Sequence, residues 1–357
     1  MAVYNFDRFH VLLVEDNDYI RTTLTDLLRQ LGIGRVTVCT SGTHAIDELK
    51  KLKLISGAGA GLGVDIIISD LLMSPMNGLL LLRWVRTAKD SPNRFTPFVM
   101  ISGAADSGYV KAARDMGVTE FLGKPFSVDS VSKRLLGVID SPRQIVMTRE
   151  YFGPERRRRK KPPVDDKDHR VTKDDDITIA YSVENITKSK SGSQVWYFRL
   201  PNALKEKAGG LGASGPGEFS PDILAQAEEE MERSSVEFTD WALGYLKQLS
   251  QHCDEALASP GDRRKQFEEI NLLAHELRGQ GGTFGYPLVT TFAKMLYDFT
   301  GPQGAQEDSA VEIVKAHVDA LRVVIREKIS GDGGQIGKEL LNSLNDAVVI
   351  NADAAAS

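Results

Sequence analysis

A carboxylate and an imidazole in this chain lie in settings that suit them to carry a phosphoryl group. Asp70 closes the apolar run VDIIISD, which predicts a buried strand with an acidic side chain at its end. His275 lies in AHELRGQGGTFG, on a predicted helix followed by several glycines. Both side chains form covalent intermediates as nucleophiles, so a phosphoryl group can pass between them. What the chain can do therefore depends on the elements that position these two residues.

Length and composition favour a protein of two domains with no membrane span. The chain has 357 residues, of which 41% are hydrophobic and 26% charged, and its net charge of -5 gives no bulk attraction to nucleic acid or anionic membrane. The N-terminus lacks the features of a signal peptide, and no run reaches the roughly 20 apolar residues of a membrane span. Cys39 and Cys253 match no metal or redox spacing, which predicts free buried thiols. We therefore expect a cytoplasmic protein.

The first 140 residues have the pattern of an α/β domain. Five apolar runs alternate with five amphipathic stretches, and the central runs are apolar throughout, as strands covered on both faces are. This predicts a doubly wound, five-stranded parallel sheet in a domain spanning residues 1–140. The strands are expected at 11–15, 36–39, 65–69, 98–102 and 120–123.

Residues 141–220 interrupt this pattern. Charge blocks such as ERRRRKKPPVDDKDHR contain almost nothing apolar and predict a solvated linker. Within it, DITIAYSV and SQVWYFRL have the composition of strands, and we expect a β-hairpin if this part is ordered, leaning on a neighbouring domain. The basic run 156–161 could contact nucleic-acid phosphates, but nearby acidic clusters nearly cancel it and favour a solvated linker.

The remainder, residues 221–350, is predicted to be an all-α four-helix bundle with helices at 221–258, 262–298, 308–330 and 335–348. In the second of these, apolar side chains form one stripe and His275 lies on the opposite face beside Arg278. The glycines from Gly279 to Gly285 leave two explanations open. Either the helix ends near Gly279, or the glycines let a partner approach the imidazole. The apolar stripe, which continues to Leu296, favours an unbroken helix.

Several strand-end residues of the first domain would meet in one crevice. In a doubly wound sheet, ligands bind beyond the carboxyl ends of the strands where the strand order reverses. Glu15 and Asp16 follow the first predicted strand and Asp70 follows the third, so three carboxylates converge and need a cation such as Mg²⁺. Ser102 and Lys124 follow the fourth and fifth strands. Their hydroxyl and ammonium groups would bind the oxygens of a phosphoryl group on Asp70.

Residues 9–140 thus resemble a response-regulator receiver domain of the CheY type, with its flavodoxin-like fold. Its acidic pair matches Glu15 and Asp16, its phosphoacceptor Asp70, its switch hydroxyl Ser102 and its lysine Lys124, within GKPF. Phe121 matches the aromatic switch position three residues before the lysine. Ser74 stands where the family usually has proline, and Pro75 follows it. Met73, Asn77 and Gly78 keep their family spacing, so the length of the loop is preserved.

This resemblance implies a mechanism. Asp70 would take a phosphoryl group from a phosphohistidine, and Mg²⁺ would be held by Asp16, Asp70 and the Leu72 carbonyl, with Glu15 helping. Ser102 and Phe121 would then rearrange around the new charged group.

AHELRGQGGTFG resembles the motif of histidine phosphotransfer (Hpt) domains. His275, Leu277, Arg278 and Gly279 match its histidine, leucine, basic residue and glycine, and Phe284 with Gly285 matches its end. Arginine stands where lysine is more usual. The resemblance implies that His275 carries the phosphoryl group and that Arg278 helps to neutralise it. An Hpt domain has no ATP site, and no P-loop or kinase ATP-binding motif stands elsewhere in the chain, so we expect no ATP-dependent kinase activity.

Two functional hypotheses follow. In the first, the chain is a two-component phosphorelay protein whose Asp70 and His275 exchange phosphate with a sensor histidine kinase or with other receiver or Hpt proteins. In the second, the chain is a phosphorylation-regulated adaptor in which His275 only forms part of a docking surface. The direction of phosphate flow, and whether the two residues exchange phosphate within one chain, stay open.

Overall fold

The computed structural model describes residues 2–56, 63–103, 107–156, 177–182, 194–209, 215–259, 263–301 and 307–355. The chain divides into two compact units. The first comprises Met1–Gly123 and Val128–Glu228, and the second comprises Lys124–Ser127 and Glu229–Ser357.

In chain order, the strands are β1 (Ala2–Val3), β2 (His10–Val14), β3 (Arg35–Cys39), β4 (Ile66–Asp70), β5 (Phe98–Gly103), β6 (Glu120–Lys124), β7 (Ile145–Met147), β8 (Phe152–Pro154), β9 (Ile177–Ala180), β10 (Val195–Phe198) and β11 (Gly217–Glu218). The helices are α1 (Asp18–Gln30), α2 (Gly42–Ser56), α3 (Gly78–Thr87), α4 (Ser107–Asp115), α5 (Val128–Asp140), α6 (Ala203–Gly209), α7 (Pro221–Ala258), α8 (Arg264–Gln280), α9 (Pro287–Phe299), α10 (Asp308–Arg326) and α11 (Gly334–Ala355).

A five-stranded parallel sheet with the order β3-β2-β4-β5-β6 forms the centre of the first unit. Every residue of β2 and β4 is buried, because helices cover the sheet and apolar side chains leave both of its faces. On one face, side chains such as Leu12, Ile67 and Phe98 join those of α2 and α3 in one apolar cluster. The doubly wound parallel sheet predicted from the sequence is confirmed.

A second, four-stranded sheet in the same unit has the order β8-β7-β10-β9. Strand β10 pairs antiparallel with β7 and parallel with β9. The prediction of a β-hairpin was therefore wrong: the two strands do pair, but side by side in the same direction, which no tight turn can connect. Residues 183–193, which join them, lie outside the described part of the chain.

The second sheet is packed rather than solvated. Met147, Phe152 and Phe198 are buried in an apolar cluster, and Phe95, from the loop before β5, packs edge-on against both phenylalanines with ring centroids 5.0 and 5.1 Å apart. The described part of the predicted linker is thus attached to the α/β domain, as expected for an ordered segment with too small a core of its own. The charged stretch 157–176 lies outside the described residues.

Arg86 connects two loops of the first unit by hydrogen bonds to their backbone. Its side chain on α3 is 1% exposed, and its guanidinium donates to the carbonyl oxygens of Arg94, Thr96 and Gly117 at 2.7 to 3.0 Å. Burial lowers the pKa of Arg86 to about 10, which leaves the group charged at neutral pH. One buried cation therefore satisfies three backbone acceptors on two different loops.

After Pro221, the described residues form five helices, α7 to α11, instead of the four that were predicted. The predicted helix 262–298 was wrong, because the chain forms two helices there, α8 and α9, separated by a turn. Helix α9 packs against α8 and α10, and α10 packs against α11, which is consistent with a helix bundle. Across the described residues, no helix is both long and apolar enough to cross a membrane.

Replacing Arg86 with methionine should lower the free energy of unfolding of the first unit by about 3 kcal/mol, because three backbone carbonyl groups, two of them buried, lose their donor. Arg83→Met, one turn away on the exposed face of α3, is the matched control and should change it little. Hydrogen exchange of β5 and β6 in the full-length protein under increasing urea measures the difference. Equal exchange in the two variants would contradict this role of Arg86.

Candidate functional site

The register of the parallel sheet brings the predicted acidic residues to one edge. Val14 of β2 pairs with Ser69 of β4, so Glu15, the next residue, lies level with Asp70. Strand β4 lies between β2 and β5, and the chain order reverses between β2 and β4. The three carboxylates therefore flank the switch point of the sheet, where doubly wound folds bind their ligands.

Glu15, Asp16 and Asp70 form a compact cluster of carboxylates. Each offers one oxygen, and these atoms all lie within 4.8 Å of one another. Glu15 is 1% exposed and Asp70 5% exposed. Like charges this close and this buried repel each other strongly, and a hard divalent cation with oxygen ligands is the usual way to compensate them.

The backbone around the cluster is fixed by short local contacts. Asn17 caps the first turn of α1 by accepting from the amide of Ile20 at 3.1 Å. Arg21, one turn along that helix, donates to the carbonyls of Glu15 and Asp16 at 3.0 and 3.1 Å. These contacts hold the turn that follows β2, and with it the direction of both acidic side chains.

The loop after Asp70 is closed by Gly78. The amide of Leu71 donates to the Asp70 carboxylate at 2.7 Å, and the amide of Gly78 donates to the carbonyl of Leu71 at 3.0 Å. A Cβ atom at Gly78 would lie 2.2 Å from the carbonyl oxygen of Asp70, so only glycine fits where α3 starts against the end of β4. Ser74, the departure from the family pattern, donates its amide to the Asp16 carboxylate at 3.3 Å.

Of the other predicted residues of this site, Ser102 and Lys124 lie at the carboxyl ends of β5 and β6, at the same edge of the sheet. Ser102 is buried and directly follows Ile101, which pairs with Asp70. Lys124 is the last residue of β6. Phe121 and Leu72 are half-buried, and both pack against the apolar cluster beneath the sheet. The roles predicted for these four residues stay predictions.

His275 lies in the last two turns of α8, where it contacts the side chains of Arg278 and Tyr297. Its Nδ1 atom is 3.0 Å from a guanidinium nitrogen of Arg278. The ring of Tyr297, on α9, has its centroid 5.6 Å from that of His275, and the carbon of the Arg278 guanidinium lies 4.4 Å from the centroid of the tyrosine ring. Arginine, imidazole and phenol ring thus form one group across two helices.

Two of the glycines after His275, Gly281 and Gly285, are explained by the end of the helix. At Gly281, a Cβ atom would lie 2.7 Å from both the amide nitrogen of Thr290 and the carbonyl oxygen of Tyr286, and Gly285 has φ +84°. Of the two explanations left open by the sequence, an end near Gly279 agrees with α8 closing at Gln280, and the unbroken helix was wrong. The apolar stripe misled because Phe284 stays in the core from the turn, stacked on Phe238 with ring centroids 4.9 Å apart.

The comparisons with known proteins agree with the geometry of the acidic site. The model of the response regulator receiver domain family matches residues 11–136. These residues form a receiver domain. They hold the three carboxylates, Ser102 and Lys124 at the edge described above, so this part of the chain is a receiver of two-component signalling.

The proteins to which this chain is similar include two curated relatives and a solved structure. "Probable chemotaxis protein CheY" of Rhizobium etli is 28% identical over 133 residues, which are 37% of this chain and 93% of the relative. The sensory/regulatory protein RpfC of Xanthomonas campestris is 28% identical over 135 residues, which are 38% of this chain but 17% of RpfC. A structure of the chemotaxis response regulator CheY4 of Vibrio cholerae is 27% identical, covers 36% of this chain and 98% of that protein, and has a TM-score of 0.31.

Two residues of these sites were not found from the sequence. Arg21 donates to backbone carbonyls, and because every residue has one, the sequence pattern does not indicate such partners. Tyr297 lies 22 positions after His275, and the assumption of one long helix placed the two far apart along its axis.

Arg156, the one described member of the basic run, forms an exposed ion pair with Asp115 at 3.1 Å. The rest of that run lies outside the described residues.

Alanine at Gly281 should lower the free energy of unfolding by about 1 to 3 kcal/mol, because the added methyl group meets the backbone at the start of α9. Gly244→Ala is the control within a helix. Nothing lies within 4 Å of a Cβ atom there, so alanine should stabilise α7 by about 1 kcal/mol. Thermal denaturation of both full-length variants measures the opposite shifts, and shifts of the same sign would contradict the close approach at Gly281.

Proposed function

We propose that this chain is a phosphorelay protein in which Asp70 accepts a phosphoryl group from a phosphohistidine and His275 carries one to or from a receiver. The observation that carries the proposal is the cluster of Glu15, Asp16 and Asp70, with oxygens within 4.8 Å of one another at the switch point of a receiver domain. The pairing of His275 with the Arg278 guanidinium supports the second half of the proposed relay.

In this proposal, Asp70 acts as the acceptor. Its carboxylate is held by the amide of Leu71, and a carboxylate oxygen would attack the phosphorus of a partner's phosphohistidine. The phosphorus–nitrogen bond breaks, its electron pair returns to the imidazole, and an acyl phosphate forms on Asp70. In this proposal, the Ser102 hydroxyl and the Lys124 ammonium bind the phosphoryl oxygens, and Ser102 and Phe121 rearrange in response.

The donor set of the site fits a divalent metal ion. Two nearly buried carboxylates and a third beside them supply hard oxygen ligands, and the Leu72 carbonyl is a further candidate. A bound Mg²⁺ would offset the negative charge of these carboxylates and of the phosphoryl oxygens. The residues themselves orient the acceptor oxygen, because the contacts of Arg21 and Gly78 fix the two loops on either side of it.

His275 would serve as the second carrier. A lone pair on its imidazole attacks the phosphorus of a receiver's aspartyl phosphate, the phosphorus–oxygen bond breaks, and the carboxylate is regenerated. The charge of Arg278 lies near enough to stabilise the phosphoryl group on the ring. Because the chain has no ATP-binding motif, phosphate would come from a sensor histidine kinase or from another receiver or Hpt protein. The names of CheY and RpfC, from chemotaxis and from sensory regulation, support such a signalling role.

The test of the relay follows labelled phosphate from a phosphorylated kinase through the full-length protein to a separate receiver. Asp70→Asn should abolish the alkali-labile label, which is that of an acyl phosphate. His275→Gln should abolish the acid-labile label and transfer to or from the separate receiver. Asp47→Asn, an exposed residue of α2, and His252→Gln, on α7, are the matched controls and should behave as the unmodified chain does.

If Asp70 is phosphorylated and binding of a partner changes, yet no acid-labile phosphate is ever found on His275, the relay is wrong. That result would instead support the phosphorylation-regulated adaptor. Loss of label in the Asp47→Asn or His252→Gln control would show that the variants act through the fold and not through the proposed carriers.

Removing divalent cations with a chelator should stop phosphorylation of Asp70, because the repulsion among three carboxylates and the incoming phosphoryl group is then uncompensated. Asp16→Asn should weaken Mg²⁺ binding about tenfold or more, since it takes away one charged ligand. Isothermal titration with Mg²⁺ measures this, with Asp47→Asn as the control. Unchanged affinity in Asp16→Asn would contradict the proposed ligand set.

A further inference from the structure

We infer that Arg278 and Tyr297 hold His275 in a resting state in which neither ring nitrogen can accept a phosphoryl group, so that displacement of the guanidinium is part of the phosphorylation step. The inference rests on the proposed function of His275 as a phosphate carrier. It adds Tyr297 to that site as a positioning residue.

The protonation of the imidazole follows from the nature of its partner. A guanidinium has five donors and no acceptor, so in the 3.0 Å contact with Nδ1 of His275 it must be Arg278 that donates. The lone pair of Nδ1 is therefore engaged, and the neutral ring carries its proton on Nε2. Nδ1 is blocked by the arginine and Nε2 has no lone pair to offer, so neither nitrogen is a nucleophile while the contact lasts.

Tyr297 keeps the guanidinium in place. The carbon of the guanidinium lies 4.4 Å from the centroid of the tyrosine ring, within the range of a cation–π contact, and the same ring lies beside the imidazole. Helix α9 is itself fixed here, because the side-chain amide of Asn271 on α8 donates to the carbonyl of Tyr297 at 2.8 Å and to the Thr300 hydroxyl at 3.0 Å. The hydrogen bonds of Asn271 thus fix the end of α9, and with it the face of the Tyr297 ring that lies against Arg278.

Phosphorylation then begins with the movement of Arg278. Once the guanidinium leaves Nδ1, the lone pair of that nitrogen is free to attack phosphorus. Alternatively, Nδ1 takes up a proton from solvent while Nε2 releases its own, and the lone pair of Nε2 attacks phosphorus. The bond from phosphorus to the aspartyl oxygen breaks and its electron pair returns to the carboxylate. The guanidinium, released from the ring, is available to bind the new phosphoryl oxygens. The same side chain thus restrains the unmodified ring and stabilises the modified one.

Two measurements on the full-length protein test this inference. In ¹⁵N-resolved NMR spectra near neutral pH, the His275 ring should show Nδ1 without a proton and Nε2 with one, and the Nδ1 signal should shift in Arg278→Met. With phosphoramidate as the phosphodonor, His275 should become phosphorylated about threefold faster in Tyr297→Leu than in the unmodified chain, because the cation–π contact is lost. Tyr297→Phe keeps the ring face and should match the unmodified chain, and circular dichroism confirms that each variant is folded.

A proton on Nδ1 of the resting ring would overturn the inference, and so would equal rates for Tyr297→Leu and the unmodified chain. If no variant ever carries phosphate on His275, the proposed function fails, but the spectra still decide the resting state of the ring. The two failures are therefore distinguishable.

Discussion

The register between β2 and β4 is the constraint on which the first unit depends. Val14 opposite Ser69 places Glu15 level with Asp70, and a shift by one residue would turn every side chain of the strand to the other face of the sheet. Close packing on both faces fixes this register, because a shifted strand would present side chains of the wrong size and shape to the helices that cover the sheet. The apolar residues of the strands therefore bring the three carboxylates together. Burial of the core supplies the free energy that offsets the repulsion between these like charges.

In the second unit, the comparable constraint is the turn between α8 and α9. The close approach of α9 to Gly281 ends the first helix soon after His275 and brings Tyr297 back beside it. Phe284 packs on Phe238 from the turn itself, so the core remains filled although the helix is broken. A continuous helix would have carried residue 297 some 30 Å along its axis from His275. The tyrosine beside the imidazole is thus a product of the break, whereas Arg278 comes from the same helix as His275.

The sequence predicted those parts that depend on local pattern. Buried strands with acidic ends, the five-stranded sheet and the free thiols of Cys39 and Cys253 follow from periodicity and composition, and the structure agrees with them. It was misleading where a pattern had two physical causes. An apolar stripe does not distinguish a long helix from a helix, a packed turn and a second helix, and two strand-like runs do not reveal whether they will pair parallel or antiparallel. Arg86 and Arg21 escaped notice because their partners are backbone carbonyls, which every residue carries.

The proposed relay requires one chain to carry phosphate on two chemically different side chains. The most direct measurement is ³¹P NMR of the full-length protein with Mg²⁺ and phosphoramidate, recorded for the unmodified chain and for Asp70→Asn and His275→Gln. We predict an acyl phosphate resonance that Asp70→Asn alone removes and a phosphoramidate resonance of the protein that His275→Gln alone removes. A spectrum in which His275→Gln changes nothing would contradict it.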